Sequence, residues 1–279
     1  MKYINYNGTI HSEHEQLIPA TNRAFRYGDS FFETMAMFNK KIPLLDYHWN
    51  RMEFTAEVLG MQLPKRFHIE SFQEMLLDLA SVNDAVKNAR VRLQLFRKGI
   101  GRYLPDEDEL GFMISLDKLE NERFEAGNGL VVGIRQDCYK PVGMISDLKT
   151  TNALPYILAA KFAKVEGWDE CIILSNPETI SEAIHSNVFI VKGDRVVTPH
   201  LDSGCVNGVM RTVVMQLLGD EVEEREVNVG EVLNADEILL TNAVRGIHWV
   251  KSFQGKNYAN KKAVELTAFL NDSLFIATT

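Results

Sequence analysis

The spacing of apolar residues predicts two amphipathic helices in the first third of the chain. Between Asp46 and Leu59 the apolar side chains recur at helical spacing, and Gly60 is in position to end the helix. The same periodicity from Ile69 to Val82 predicts a second helix. Each helix therefore has one face to bury against a core.

Alternating apolar and polar positions predict strands around these helices. Asn7-Gly8 interrupts the first strand-like segment and favours a tight hairpin turn. A second hairpin is predicted from Phe32–Met37 to Ile42–Leu45, with its turn at residues 39–41. Two further strands are predicted at Ala89 to Phe96 and Gly111 to Leu116.

A charged segment that ends in Gly-Asn-Gly separates this region from a second set of short elements, and it predicts a linker over residues 119–128. Asn152 is expected to cap a helix that runs to Val165, and Gly208 is expected to open a helix that runs to Leu218. Gly193-Asp194 should join two strands as a hairpin turn. The predicted strands are Gly129 to Ile134, Cys171 to Leu174, Val188 to Val191, Arg195 to Thr198 and Glu237 to Thr241, followed by a closing helix from Asn260 to Phe269.

Together these elements predict an α+β fold of two domains with mostly antiparallel sheets. The N-terminal α/β domain is expected over residues 1–118, the linker over 119–128 and the C-terminal α/β domain over 129–279. A length of 279 residues fits two domains better than one or three.

Composition and charge exclude several functional classes. The chain has 46% hydrophobic and 24% charged residues, which is typical of a packed globular protein. Its net charge of −8 disfavours a nucleic-acid partner. No apolar run approaches the ~20 residues of a membrane span, and the start has no signal-peptide core. The three cysteines Cys138, Cys171 and Cys205 are too scattered for a disulfide framework or a zinc site; we expect a cytoplasmic protein without a metal.

Two segments carry residues suited to binding phosphate, and each also has a simpler interpretation. A turn rich in small residues, from Ser203 to Gly208, runs into a helix whose N-terminus could bind an anion or could merely be capped. Arg51 lies beside the apolar stripe of its helix, on the same side as His48. An arginine there could bind phosphate through two nitrogens or remain solvated.

Two further residues could take part in covalent or acid–base chemistry. Lys149 lies in the loop SDLKTTN, where it would ordinarily be solvated. If it is buried, desolvation lowers its pKa and makes it a candidate Schiff-base nucleophile. Glu182 precedes a predicted strand, where a carboxylate could equally belong to a turn. The sequence has no P-loop, Rossmann fingerprint, metalloprotease helix or nucleophile elbow.

Taken in order, these segments resemble the class IV pyridoxal-phosphate aminotransferase family (fold type IV). The family includes branched-chain aminotransferases, D-amino-acid aminotransferases and 4-amino-4-deoxychorismate lyases. The similarity runs from about residue 3 to 250, through RAFRYGDSFFET at 23–34, LLDYHWNRM at 44–52, NARVRLQLFRKGIGRY at 88–103, SDLKTTN at 146–152, ISEAIHSNVFIVKGDRVVTPHLDSGCVNGVMR at 180–211 and LLTNAVRGIHWV at 239–250. The resemblance implies a two-domain homodimer with pyridoxal 5'-phosphate in the cleft between the domains.

The resemblance also implies roles for individual residues. Lys149 matches the catalytic lysine that binds the cofactor covalently, and Arg51 matches the arginine that binds its phosphate. Glu182 matches the carboxylate at the pyridine nitrogen, which favours the protonated ring. The other residues expected to bind the cofactor are Asn187, Gly208, Val209, Met210 and Thr241.

Within the family, the segment LDSGCVNGVMR is most similar to aminodeoxychorismate lyases, because the transaminases usually have Gly-Ile-Thr-Arg at this helix. This similarity implies conversion of 4-amino-4-deoxychorismate to 4-aminobenzoate and pyruvate in the folate pathway. The alternative is a branched-chain or D-amino-acid aminotransferase. A substrate with two carboxylates needs cationic or amide partners, although an arginine could equally form a surface salt bridge. The expected substrate-binding residues are Arg102, Asn242, Phe32 and Arg97, with Arg245 behind them.

Overall fold

The computed structural model describes residues 2–276, which separate into two compact units. The first unit extends to Glu122 and also includes Lys149–Asn152, and the second holds Arg123–Leu148 and the chain from Ala153 onward. The division after Glu122 falls within the segment 119–128 that the sequence suggested as a linker. Met1 and residues 277–279, which the predicted domains include, lie outside the described residues.

The first unit contains a five-stranded antiparallel sheet in the order β2-β1-β5-β4-β3. Its two long helices, α2 and α3, share one hydrophobic core with the sheet. The strands are β1 (Tyr3–Tyr6), β2 (Thr9–Ser12), β3 (Ser30–Met37), β4 (Ala89–Arg97) and β5 (Leu110–Lys118). The helices are α1 (Arg23–Tyr27), α2 (Leu45–Val58) and α3 (Ile69–Val82).

The predicted helices of this unit and its first hairpin are confirmed, but the second hairpin is wrong. Residues 42–44 form no strand, and only an isolated bridge between Phe38 and Lys41 closes the turn after β3. Asn39 and Lys40 adopt left-handed backbone angles there. Pro43 has no N–H to donate to a ladder, and α2 begins two residues later, so the chain enters the helix directly.

The second unit contains a nine-stranded sheet in the order β11-β10-β9-β12-β13-β6-β7-β8, with β14 paired to β13. Most pairs are antiparallel, as predicted, while β10–β11, β13–β6 and β6–β7 are parallel. The strands are β6 (Leu130–Tyr139), β7 (Glu170–Leu174), β8 (Ile180–Ala183), β9 (Asn187–Lys192), β10 (Arg195–Pro199), β11 (Val222–Arg225), β12 (Glu237–Asn242), β13 (Gly246–Phe253) and β14 (Lys256–Asn257). The helices are α4 (Leu154–Glu166), α5 (Val209–Leu218), α6 (Val229–Asn234) and α7 (Lys261–Asn271).

Two details of the second unit differ from the sequence predictions. Helix α4 begins at Leu154 without a side-chain cap, so the predicted cap at Asn152 is wrong. The amide of Asn152 donates instead to the hydroxyl of Thr150 at 3.3 Å. Strand β8 and helix α6 of this unit, which have four and six residues, were not predicted because their sequences show no clear period over so short a length. No helix within residues 2–276 is long and apolar enough to cross a bilayer.

The segment Lys149–Asn152 belongs to the first unit, whereas the sequence placed Lys149 in the C-terminal domain. Backbone hydrogen bonds explain the difference. Phe32 N donates to Lys149 O at 3.0 Å, and Thr151 N donates to Ser30 O at 3.0 Å. The hydroxyls of Ser30 and Thr151 also lie 2.6 Å apart. The segment therefore lies along β3, a pairing that no local pattern encodes.

Candidate functional site

Glu182 is the centre of a buried polar cluster in the second unit. It lies in β8 and is 4% exposed. Its Oε1 accepts hydrogen bonds from Lys140 Nζ and from the Tyr156 hydroxyl, both at 2.6 Å. Its Oε2 accepts one from Val206 N at 3.0 Å. Three donors offset the cost of burying the charge. Since a carboxylate offers about four acceptor positions, the group has capacity for one more donor.

Two neighbouring titratable groups remain protonated at neutral pH. Burial, followed by the charge of Glu182 and the hydrogen bond to it, raises the pKa of Tyr156, so the phenol acts as a donor. Burial raises the pKa of Cys205 to about 12. This thiol therefore has little thiolate character and does not act as a nucleophile.

Helix α5 begins without a side-chain cap. Its N-cap residue is Gly208, and the N–H groups of Val209 and Met210 have no partner inside the helix because they belong to its first turn. A Cβ on Gly208 would meet Asn187 Oδ1 at 1.9 Å, so the position requires glycine. Asn187 Nδ2 donates to Val206 O at 2.8 Å. The helix dipole and these donors favour an anion here.

Thr241 carries a buried hydroxyl that has no hydrogen-bond partner among residues 2–276. The residue lies in β12, is 1% exposed and is paired with Asn187 in the β9–β12 register. Asn187 in turn packs against Gly208 at the start of α5. A buried hydroxyl without a partner costs about 1–3 kcal/mol. An acceptor supplied by a ligand would remove that cost.

In the first unit, Arg51 and His48 of α2 both bind the carboxylate of Glu33 in β3. Arg51 Nε and Nη2 donate to the two oxygens of Glu33 at 2.8 and 2.5 Å. His48 Nδ1 lies 2.6 Å from Glu33 Oε2. Burial alone would raise the pKa of Glu33, but the charge of Arg51 and the bonds from His48 outweigh it and lower the pKa to about 2.

His48 is a buried histidine that stays neutral. Burial lowers its pKa most, and the charges of Arg51 and Lys149 lower it further against the opposing effect of Glu33. The neutral ring therefore donates its Nδ1–H to Glu33 and fixes the carboxylate. These contacts make His48 a support for Arg51 and Glu33.

Phe32 and Lys149 lie together in the first unit. Lys149 Nζ is 4.8 Å from the centroid of the Phe32 ring, and Arg92 Cζ is 3.9 Å from the same centroid. A ring face attracts cations, and two of them on one ring form a locally positive surface. Arg92 was missed by sequence reasoning. The sequence feature that could have identified it is its position among the polar residues that alternate with apolar ones along β4.

Arg97, which the sequence suggested for substrate binding, is engaged within the fold. Its Nε donates to Asp29 at 3.1 Å, Nη2 to Leu59 O at 2.8 Å and Nη1 to Gly60 O at 3.2 Å, and Nη1 also pairs with Asp108. Every guanidinium nitrogen thus has a partner inside the protein. The residue ties β4 to neighbouring loops, and the substrate-binding expectation has no support.

The other predicted substrate-binding residues have different surroundings. Arg102 is exposed, and its carbonyl accepts a hydrogen bond from Arg23 at 2.5 Å. Asn242 Oδ1 accepts from Val244 N at 3.1 Å and from Arg245 N at 2.9 Å, so this side chain closes the turn before β13. Arg245 itself is exposed. These contacts give Asn242 a role in the backbone turn.

The model of the family described as Amino-transferase class IV matches residues 30–253 of this chain. The matched range covers most of the chain and contains both buried clusters, the one around Glu182 and the one around Glu33.

Similar proteins carry two different names. Branched-chain-amino-acid aminotransferase-like protein 2 of Arabidopsis thaliana is 28% identical over 254 residues, which cover 88% of this chain and 45% of that protein. Aminodeoxychorismate lyase of Bacillus subtilis is 28% identical over 273 residues, which cover 95% of this chain and 91% of the lyase. The chain thus spans less than half of the first relative and nearly all of the second.

The fold matches solved structures closely. The crystal structure of the branched-chain aminotransferase of Thermoproteus uzoniensis with norvaline aligns with a TM-score of 0.85 at 19% sequence identity. The alignment covers 98% of this chain and 94% of that structure. At this identity the likeness concerns the fold.

Proposed function

Since this chain belongs to the class IV aminotransferase family of pyridoxal-phosphate enzymes, we propose that it converts 4-amino-4-deoxychorismate to 4-aminobenzoate and pyruvate. The product serves folate synthesis. Relatives named as lyase and as aminotransferase match at the same 28% identity, so identity does not separate the two reactions. The alternative is transamination of branched-chain or D-amino acids with the same cofactor.

The second unit has residues that fit the cofactor. The uncapped start of α5 and the buried Thr241 hydroxyl offer donors for a phosphate. Glu182 is anchored by three donors and retains capacity for a protonated ring nitrogen. The unpartnered hydroxyl carries the most weight, because most buried polar groups are hydrogen-bonded and a phosphate oxygen would supply the acceptor that Thr241 lacks among residues 2–276. Asn187 lies directly against Gly208 at the start of α5.

One residue supports the choice of lyase. Met210 stands in the first turn of α5, where the family's transaminases usually have threonine, and it is 1% exposed. Without that hydroxyl, phosphate binding at the helix relies on the N–H groups of Val209 and Met210. This is the arrangement implied by the resemblance to aminodeoxychorismate lyases.

The proposal assigns the remaining cofactor residues to the first unit. Arg51 binds the phosphate, and Glu33 orients its guanidinium through Nε and Nη2. Lys149 is the catalytic lysine. Bound pyridoxal phosphate supplies an electron sink. Once the substrate amine has displaced it from the cofactor, Lys149 would remove the proton from the substrate ring carbon that bears the amine. Enolpyruvate would then leave and take up a proton to become pyruvate, and the ring would become aromatic.

The substrate carboxylates require positive partners. We assign one of them to Arg92, because its guanidinium and the Lys149 ammonium lie on the same Phe32 ring. Arg97 is not assigned to the substrate, because Asp29, Asp108 and the carbonyls of Leu59 and Gly60 already engage all three of its guanidinium nitrogens. Arg102 is exposed and remains a second candidate for the other carboxylate.

The test compares two reactions in one preparation. Purified protein with pyridoxal phosphate is incubated with 4-amino-4-deoxychorismate and, separately, with leucine or D-alanine plus 2-oxoglutarate. We expect 4-aminobenzoate over many turnovers without accumulation of pyridoxamine phosphate. Repeated transamination with no 4-aminobenzoate would favour the alternative. The resemblance also suggests a homodimer, which light scattering coupled to size-exclusion chromatography would test.

A further inference from the structure

Lys140 is a buried lysine that follows β6 directly in the chain and that the sequence patterns did not single out. Its side chain is 9% exposed. Its Nζ donates to Glu182 Oε1 at 2.6 Å and to Ser146 O at 2.7 Å, and lies 5.5 Å from the centroid of the Tyr156 ring. A lysine charge is rarely buried unless it is paired and hydrogen-bonded. The pairing with Glu182 satisfies that condition.

The two oxygens of Glu182 have different partners. Oε1 receives both Lys140 and Tyr156, whereas Oε2 receives only Val206 N among the described residues 2–276. Two donors fill Oε1, and one acceptor position remains on Oε2. The carboxylate therefore has one anchored oxygen and one available oxygen.

Lys140 contributes a positive charge to the surroundings of Glu182, which Tyr156 does not. Tyr156 is a neutral donor, since its pKa is raised, and it binds a carboxylate without countercharge. A buried carboxylate needs a cation beside it to offset the loss of its hydration. Lys140 supplies the cation. Its second bond, to Ser146 O, holds the ammonium in place through a turn that Ser146 Oγ closes by donating to Gly143 O at 2.7 Å.

We propose that Lys140 is a positioning residue that supplies the countercharge of Glu182 at Oε1 and leaves Oε2 available for the ring nitrogen of the cofactor. This inference rests on the proposed role of Glu182. Lys140 acts through Glu182 and makes no contact with the reacting atoms in this proposal.

The test follows the absorbance of the bound cofactor as the pH is varied. Removing a cation within about 4–6 Å raises the pKa of neighbouring groups by roughly one unit. In K140M we therefore expect the pH at the midpoint of the cofactor's absorbance change to rise by about 1 unit. K140R restores the charge and should keep the wild-type midpoint.

A surface variant provides the matched control. Lys192 pairs with Asp236 at 2.8 Å in the same unit, but the two side chains are 64% and 51% exposed. K192M removes a lysine–carboxylate pair without touching Glu182 and should leave the midpoint unchanged. Thermal unfolding of each variant is measured alongside to show that the protein is folded during the titration. A smaller folded fraction would reduce the size of the absorbance change without moving its midpoint.

The possible outcomes separate the two proposals. If the wild-type protein binds no pyridoxal phosphate, the proposed function fails and the role of Lys140 fails with it. If the wild type binds it and folded K140M keeps the wild-type midpoint, the role of Lys140 alone is wrong. If K140M does not fold, K140Q decides, because its neutral amide can still donate to Ser146 O. An upward shift supports the proposal, and an unchanged midpoint overturns it.

Discussion

Glu33 and Arg51 form a two-bond ion pair between β3 and α2, with distances of 2.8 and 2.5 Å. The carboxylate is 2% exposed and the guanidinium side chain 10%. Such a pair stabilises a fold less by its own attraction than by the penalty for leaving one partner alone. It also fixes the direction of the arginine that we assign to phosphate.

Replacing Glu33 should therefore damage both stability and cofactor retention. We expect E33Q to lower the free energy of unfolding by about 3–5 kcal/mol, because Arg51 loses the buried countercharge that Glu33 supplies. D117N removes an exposed pair with Lys2 and should change it by less than about 1 kcal/mol. Urea unfolding measures both variants. Equal losses in the two would contradict the buried role of Glu33.

The same carboxylate predicts a pH dependence of stability. Its pKa is about 2 in the folded protein against 4.5 as the ordinary value. A lowered pKa means that the contribution is complete above about pH 4.5 and is lost as the pH falls toward 2. The difference in unfolding free energy between wild type and E33Q should accordingly shrink by up to about 3 kcal/mol over that range. A difference that stays constant between pH 6 and 3 would argue against an ionised Glu33.

The Thr241 hydroxyl should have opposite effects on the free and the loaded protein. T241V removes a buried donor that has no partner, so the apoprotein should be as stable as the wild type or more stable by about 1 kcal/mol. Affinity for pyridoxal phosphate should fall by roughly 1 kcal/mol, or about fivefold. The matched control is T198V, whose hydroxyl donates to Val188 O at 2.8 Å and whose loss should destabilise the apoprotein. If T241V destabilises the apoprotein as T198V does, the Thr241 hydroxyl stabilises the fold and the prediction is wrong.

Lys149 should be the only residue labelled covalently by the cofactor. Borohydride reduction of the loaded enzyme, followed by peptide mapping, should find the reduced cofactor in the peptide that contains SDLKTTN. K149A should lose turnover and label while it keeps its thermal unfolding temperature, because the backbone hydrogen bonds that hold its segment, from Phe32 N to Lys149 O and from Thr151 N to Ser30 O, do not involve the side chain that is removed. A label on Lys140 would refute both assignments.

Substitutions of Arg92 and Arg97 should affect different properties, the first substrate binding and the second stability, although both residues lie in β4. R92Q should raise KM for 4-amino-4-deoxychorismate by roughly 5- to 150-fold, since a substrate carboxylate left unpaired costs about 1–3 kcal/mol. R97Q should lower stability, because Asp29 and Asp108 lose their common partner. Steady-state kinetics and urea unfolding on both variants make the comparison. An unchanged KM in R92Q would remove it from the site.

The local periodicity of the sequence was enough to define several elements and the family. Helix α3 begins and ends where the apolar spacing predicted, because Phe72, Leu76 and Leu79 face the core at helical intervals. Strand β4 follows from strict alternation. The ordered motifs also pointed to the class IV aminotransferases, which the family match over residues 30–253 confirms. Signals of this kind are local, since they depend on residues a few positions apart.

Only the tertiary structure decided which charges meet. Lys140 and Glu182 are separated by 42 positions, and Arg51 and Glu33 by 18, so neither pairing follows from a local pattern. Arg92 and Arg97 look alike in the sequence, yet one stacks on Phe32 and the other is neutralised by Asp29 and Asp108. The physical reason is that hydrophobic periodicity fixes which face of an element is buried. The partners across that face depend on how distant segments of the chain pack together.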